Sequence, residues 1–69
     1  MNCKDLVMCF LPRAQVQIKK VDRKTIYQQT AMEWVDEFDK GSSIGNWEVC
    51  KVVAKMENLF EIEAYEPND

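Results

Sequence analysis

Hydrophobic residues change period twice along this chain, and that change constrains the fold class more than any other feature. Ala14, Val16 and Ile18 alternate with Gln15, Gln17 and Lys19. Strict alternation marks a strand with one buried and one wet face. Ile26, Tyr27, Thr30, Ala31, Trp34, Val35 and Phe38 then follow at spacings of one, three and four. They predict one apolar stripe on a helix over about 23–40. Asp22 is placed to cap its start, accepting from the first-turn N–H groups. Gly41 is placed to stop it in the left-handed conformation. Alternation returns at the end, where Phe60, Ile62 and Ala64 face one way and Glu61 and Glu63 the other.

The rest of the chain fits around these tracts. Residues 47–55 are rich in β-branched and aromatic side chains (Trp47, Val49, Val52, Val53), and Met56-Glu57-Asn58 is turn-like. Residues 47–65 therefore predict an antiparallel hairpin. Leu6 to Leu11 is apolar at six consecutive positions, the pattern of a strand covered on both faces. Pro12 interrupts it, because proline cannot donate to a ladder. Residues 6–11 and 14–19 make either a short hairpin or one long strand bent at Pro12. Two residues with proline are poor turn chemistry, which favours the bend. The loop 41–46 holds both glycines and links helix to strand. Pro67-Asn68-Asp69 is a frayed end. The expectation is a single domain over 1–69 of the α+β class. A small antiparallel sheet of three or four strands carries one amphipathic helix on one face.

At 69 residues, such a chain buries only about 60% of the surface its unfolded form exposes. Its core is small unless a partner or a second copy adds burial. A net charge of −3 and 46% hydrophobic residues make an ordinary globular balance, not a disordered tail. The longest apolar run is six residues, against roughly 20 for a membrane span. The run also lacks the preceding positive charge of a signal peptide. There is no histidine, which excludes Ser-His-Asp and Cys-His catalysis, Cys₂His₂ zinc and histidine-ligated haem. Cys3, Cys9 and Cys50 are odd in number and form no C-x-x-C pair. They predict reduced thiols in a cytosolic protein, with Cys9 and Cys50 packed inside strands. Burial would raise their pKa, which argues against a catalytic cysteine. A Cys9–Cys50 bridge is the alternative and carries no sequence signature.

No catalytic residue, metal site or cofactor is assigned. Glu33 and Glu37 lie one helical turn apart, with Asp36 and Asp39 nearby. A hydrolase could use such a pair, but a solvated helix face looks the same and a chain this small has little room for a dry pocket. No D-x-D spacing with a following glutamate and no glycine-rich phosphate loop occurs.

Charge is unevenly spread. Residues 1–24 hold six cations against two acids, a net of +4; residues 25–69 hold three against ten, a net of −7. Lys19, Lys20, Arg23 and Lys24 could form a nucleic-acid-binding edge. The cations are few, however, and Phe10 is the one aromatic among them for stacking. Lysines on an edge strand also block aggregation. On the predicted helix, Arg23 and Lys24 fall in the first turn while Glu33, Asp36, Glu37 and Asp39 crowd the last two. The helix dipole prefers the reverse by about 0.3–1 kcal/mol per charge. The acids are thus expected to serve a basic surface outside the domain, with Glu48, Glu57, Glu61, Glu63 and Glu66 extending the field; a plain solvated face is the competing reading. A second pointer is apolar surplus. One helix covers one sheet face, yet residues 6–11 and 47–55 are apolar on both. The uncovered side is expected to meet a partner or a second copy.

The run Cys50-Lys-Val-Val-Ala-Lys-Met-Glu-Asn-Leu-Phe-Glu-Ile-Glu63 resembles the C-terminal hairpin of the small antitoxins of T4-like phages, which bind an RNase toxin. The helix ahead of it, Thr30-Ala-Met-Glu-Trp34, is comparable. The layout also resembles small anti-CRISPR proteins and the host RNA polymerase inhibitors of T7-like phages. The resemblance spans about forty residues, is one of pattern, and transfers no site residues. It implies a phage- or mobile-element-encoded inhibitor without catalysis, acting in the host cytoplasm on a protein with a basic nucleic-acid-binding surface. From the charge and apolar patterns, the residues expected to meet that partner are Glu33, Asp36, Glu37, Asp39, Trp47, Glu61 and Glu63. A nucleic-acid-binding regulator and a self-associating structural protein are the alternatives.

Overall fold

Local capping chemistry decides where the chain turns helical. The computed structural model describes residues 1–21 and 26–67. Asn2 accepts from the Asp5 N–H at 2.9 Å and so caps a short helix, α1 (Cys3–Val7). The chain then tightens: Cys9 and Phe10 N–H groups bond to Leu6 and Val7 carbonyls at 3.0 and 3.1 Å. Residues 6–11 therefore form a helix end and a turn, and the strand expected there is corrected. Consecutive apolar residues satisfy a buried helix end as well as a strand, and the asparagine decides between them.

Alternation at 14–19 is realised as β1 (Gln15–Lys20), with Ala14, Val16 and Ile18 buried. The helix expected over 23–40 is half its predicted length. Residues Ile26–Thr30 form a strand, β2, and helix α2 runs over Ala31–Asp39. Its cap is Thr30, not Asp22; Asp22, Arg23 and Lys24 lie outside the described residues. Gly41 follows α2 at φ +96°. Its N–H bonds to the Phe38 carbonyl at 3.0 Å, and that of Ser42 to Glu37 at 3.1 Å. This paired closure needs a left-handed residue, as the sequence predicts. A 3₁₀ turn (Ser43–Asn46) leads into β3 (Glu48–Met56) and β4 (Leu59–Tyr65). Asn58, at φ +62°, supplies the left-handed residue of their turn.

The class is α+β, with one four-stranded sheet in the order β2-β1-β4-β3. The expectation of an all-antiparallel sheet is corrected. β1 and β4 pair in parallel, Val16 beside Phe60 and Ile18 beside Ile62. The other two pairs are antiparallel. The parallel pair arises because β2, α2 and the 3₁₀ turn intervene before the hairpin returns along β1.

The core lies between the helices and one sheet face. Val16, Ile18, Ile62 and Ala64 meet Cys3, Val7, Ala31, Trp34, Phe38 and Trp47. Trp34 donates from Nε1 to the Val16 carbonyl at 2.9 Å and stacks on Phe38 at 5.7 Å between centroids. Phe10 stacks on Phe60 at 4.7 Å. The cysteines are reversed from expectation: Cys3 is buried, Cys9 and Cys50 are exposed, and all three are free thiols. No helix among the described residues is long and apolar enough to cross a membrane.

Candidate functional site

Helix α2 is locked at its start by reciprocal bonds. Glu33 N–H donates to Thr30 Oγ1 at 3.2 Å, and Thr30 N–H donates to Glu33 Oε1 at 2.9 Å. Thr30 Oγ1 lies 3.0 Å from the same carboxylate oxygen. This is the capping box, and T-x-x-E at 30–33 was its signal in the sequence. The bond from the Thr30 backbone, then that from its hydroxyl, holds the Glu33 carboxyl below the ordinary glutamate range. Glu33 thus has a local structural role in the first turn of α2, and the expectation that it belongs to the last two turns is corrected.

Asp36, Glu37 and Asp39 have no such role. All three are exposed, none forms an ion pair among the described residues, and the last turn holds no basic residue. Lys40 follows at the C-cap. The carboxylates crowd the negative end of the helix dipole, an arrangement that costs about 0.3–1 kcal/mol per charge. The predicted charge inversion therefore holds for the C-terminal half of α2 alone.

Glu61 and Glu63 do not join this cluster. Their neighbours Ile62 and Ala64 face the core, so alternation puts both carboxylates on the sheet face away from α2. There Glu63 pairs with Lys19 at 3.4 Å and Glu61 with Lys55 at 3.0 Å. Gln17 Nε2 donates to Gln28 Oε1 at 2.9 Å, and Gln28 Nε2 to Gln15 Oε1 at 3.4 Å. The open face thus carries a mesh of amides and ion pairs, with Ile26 and Tyr65 as exposed apolar residues beside it. Trp47 is a core residue, 7% exposed, with Lys20 Nζ 5.5 Å from its ring centre. Lys20 also pairs with Glu66. The basic edge expected at Lys19 and Lys20 is corrected, because β1 lies between β2 and β4; both lysines are engaged by carboxylates, and Arg23 and Lys24 lie outside the described residues.

A contiguous apolar surface lies on the helix side. A groove of about 260 Å³ runs between the turn after α1 and the start of α2, lined by Val7, Met8, Phe10, Pro12, Met32 and Val35, with Ala31 at its floor. Met8 and Met32 are 62% and 59% exposed. Flexible thioethers suit a surface that moulds to a partner. Met32, Asp36 and Asp39 lie four and three residues apart and share one stripe of α2, so the groove and the acidic end are continuous. A second groove, of about 510 Å³, flanks the other side of α2 beside β2; Tyr27, Gln29, Trp34, Glu37 and Ile44 line it. No group of three or more metal-ligating side chains occurs among the described residues. Compared with known proteins, the chain matches no family model, no curated protein and no solved structure.

Proposed function

We propose that this chain is a non-enzymatic, protein-binding inhibitor that occupies a basic, nucleic-acid-binding surface of a host protein. One observation carries the reading. Asp36, Glu37 and Asp39 stand exposed at the wrong end of the helix dipole with no counter-ion among the described residues. Stability alone does not favour that arrangement. A cationic partner surface would supply the missing charge and speed encounter. The adjoining groove offers Met8, Phe10 and Met32 as apolar anchors. The pattern resemblance to phage-encoded antitoxins and anti-CRISPR proteins supports a phage or mobile-element origin and a site of action in the host cytoplasm.

The test uses a tagged chain and the cognate cell lysate, with mass spectrometry at low and high salt. The expected result is one dominant protein, retained at moderate salt and lost when Asp36, Glu37 and Asp39 are all changed to Lys. The recovered protein should also lose its nucleic-acid binding when the chain is added. Retention of the same protein by the triple variant overturns the electrostatic mechanism. Nuclease-sensitive recovery of nucleic acid would move the assignment to the cations of β1, Lys19 and Lys20.

A further inference from the structure

The two edges of the sheet are not alike. The β3 edge is blunted. It carries Lys51 and Lys55, shows two register irregularities, and is covered at its start by Asn2, which bridges to Glu48. Bulges, lysines and covering segments are the devices that keep edges from pairing. Among the described residues the β2 edge has none of them: Ile26-Tyr-Gln-Gln-Thr30 holds no charge, proline or bulge.

Parity shows which of its backbone groups are open. The register that pairs Gln15 with Thr30 continues to Ala14 opposite Ala31, where Ala31 N–H bonds to the Ala14 carbonyl at 2.9 Å. Bonded pairs recur at every second residue of an antiparallel ladder. Gln29 and Tyr27 therefore bond to β1, and Ile26, Gln28 and Thr30 point their amide groups away from it. The Thr30 N–H, taken by Glu33 at 2.9 Å, confirms that direction. Ile26 and Gln28 remain available, with no strand beyond them among the described residues.

Tyr27 and Gln29 share the helix side with their partners Ile18 and Val16. That side opens into the groove lined by Trp34 and Ile44, in which Glu37 is the one charged lining residue among the described residues. We infer that β2 and this groove capture an extended segment of a partner protein. Its backbone pairs with Gln28 and Ile26, and alternate side chains enter the groove, one a lysine or arginine that meets Glu37. A second copy of β2 is disfavoured as occupant, because Ile26–Thr30 offers no cation to that carboxylate. The inference rests on the inhibitor reading and narrows it to strand addition.

The experiment selects binders from a phage-displayed library of random twelve-residue peptides against the full chain. Enriched peptides are expected to carry Lys or Arg two residues from an apolar residue, the spacing of one strand face. Bound peptide should slow hydrogen exchange at the Gln28 and Ile26 amides. Gln28→Pro removes an outward N–H and no ladder bond, and should weaken binding about tenfold. Glu37→Gln, which leaves the backbone intact, should weaken it about fivefold. No enrichment overturns the inference, as do binders indifferent to both variants, or a dimer of the free chain that already protects Gln28. If charge reversal of α2 abolishes partner capture while Gln28→Pro does not, strand addition fails and the inhibitor reading stands.

Discussion

Gly41 is the residue on which the end of α2 turns. At φ +96° an added Cβ would touch nothing within 4 Å, so the penalty of Gly41→Ala is purely backbone strain, about 1–2 kcal/mol. In a domain this small the melting temperature should fall by about 4–8 °C per kcal/mol, read by circular dichroism. Cys3 makes a second residue-scale case. Burial, then the nearby Glu48 and Cys50, push its thiol from near 9 up to about 12. An acid with a raised folded-state pKa favours folding while protonated. The contribution is full below pH 9 and is lost as pH rises towards 12, where the unfolded thiol ionises first. Stability should therefore decline across that alkaline window, and Cys3→Ala should flatten the decline. In native protein a thiol reagent should label Cys9 and Cys50 fast and Cys3 only on unfolding. Equal rates at all three would contradict the burial.

At the scale of elements, α2 begins where Thr30 and Glu33 clasp each other. Thr30→Ala should cost about 1 kcal/mol. Because Glu33 has a lowered pKa, its share is present above the ordinary carboxylate range and lost as pH falls through the folded-state value. The coupling between Thr30→Ala and Glu33→Ala in a double-mutant cycle should shrink in acid, measured by thermal melts at neutral and low pH. The same clasp marks a boundary that hydrophobic periodicity does not show. Ile26 and Tyr27 fit the helical stripe that Ala31, Trp34 and Phe38 occupy, so periodicity alone extends α2 backwards. What stops it is a four-residue motif and a cross-strand register with β1, and the register is a tertiary fact. The α1 helix was hidden in the same way, since Leu6 and Val7 merge with Phe10 and Leu11 into one apolar run. The β3–β4 hairpin was legible because alternation and the turn at 57–58 agree. The parallel union of β1 with β4 was not, because no local pattern encodes which strands meet. Of the candidate site, Asp36, Glu37 and Asp39 were legible as an exposed charged face. Trp47 looked like an anchor yet fills the core, and the lysine partners of Glu61 and Glu63 needed the sheet to be known.

For the whole molecule, the fold divides its charge by side. The open sheet face neutralises itself, with Lys19 on Glu63 and Lys55 on Glu61. The end of α2 is left acidic, next to a groove edged by Met8 and Met32. If that imbalance serves a partner, stability and binding must oppose each other there. Changing Asp36 and Asp39 to Lys places cations at the negative end of the dipole, and the free chain should gain about 0.3–1 kcal/mol per site. Capture of a cationic partner should fall, chiefly through a slower association rate with a weaker salt dependence. The control is Asp5→Lys, a carboxylate near the N-cap of α1, where the dipole makes the same change unfavourable. Melting curves and association rates on the three proteins separate the cases. Stabilisation together with lost capture supports a surface kept acidic for use. Stabilisation with capture intact would mean that the α2 carboxylates are solvated charge alone, and the binding surface would have to be sought in the grooves on either side.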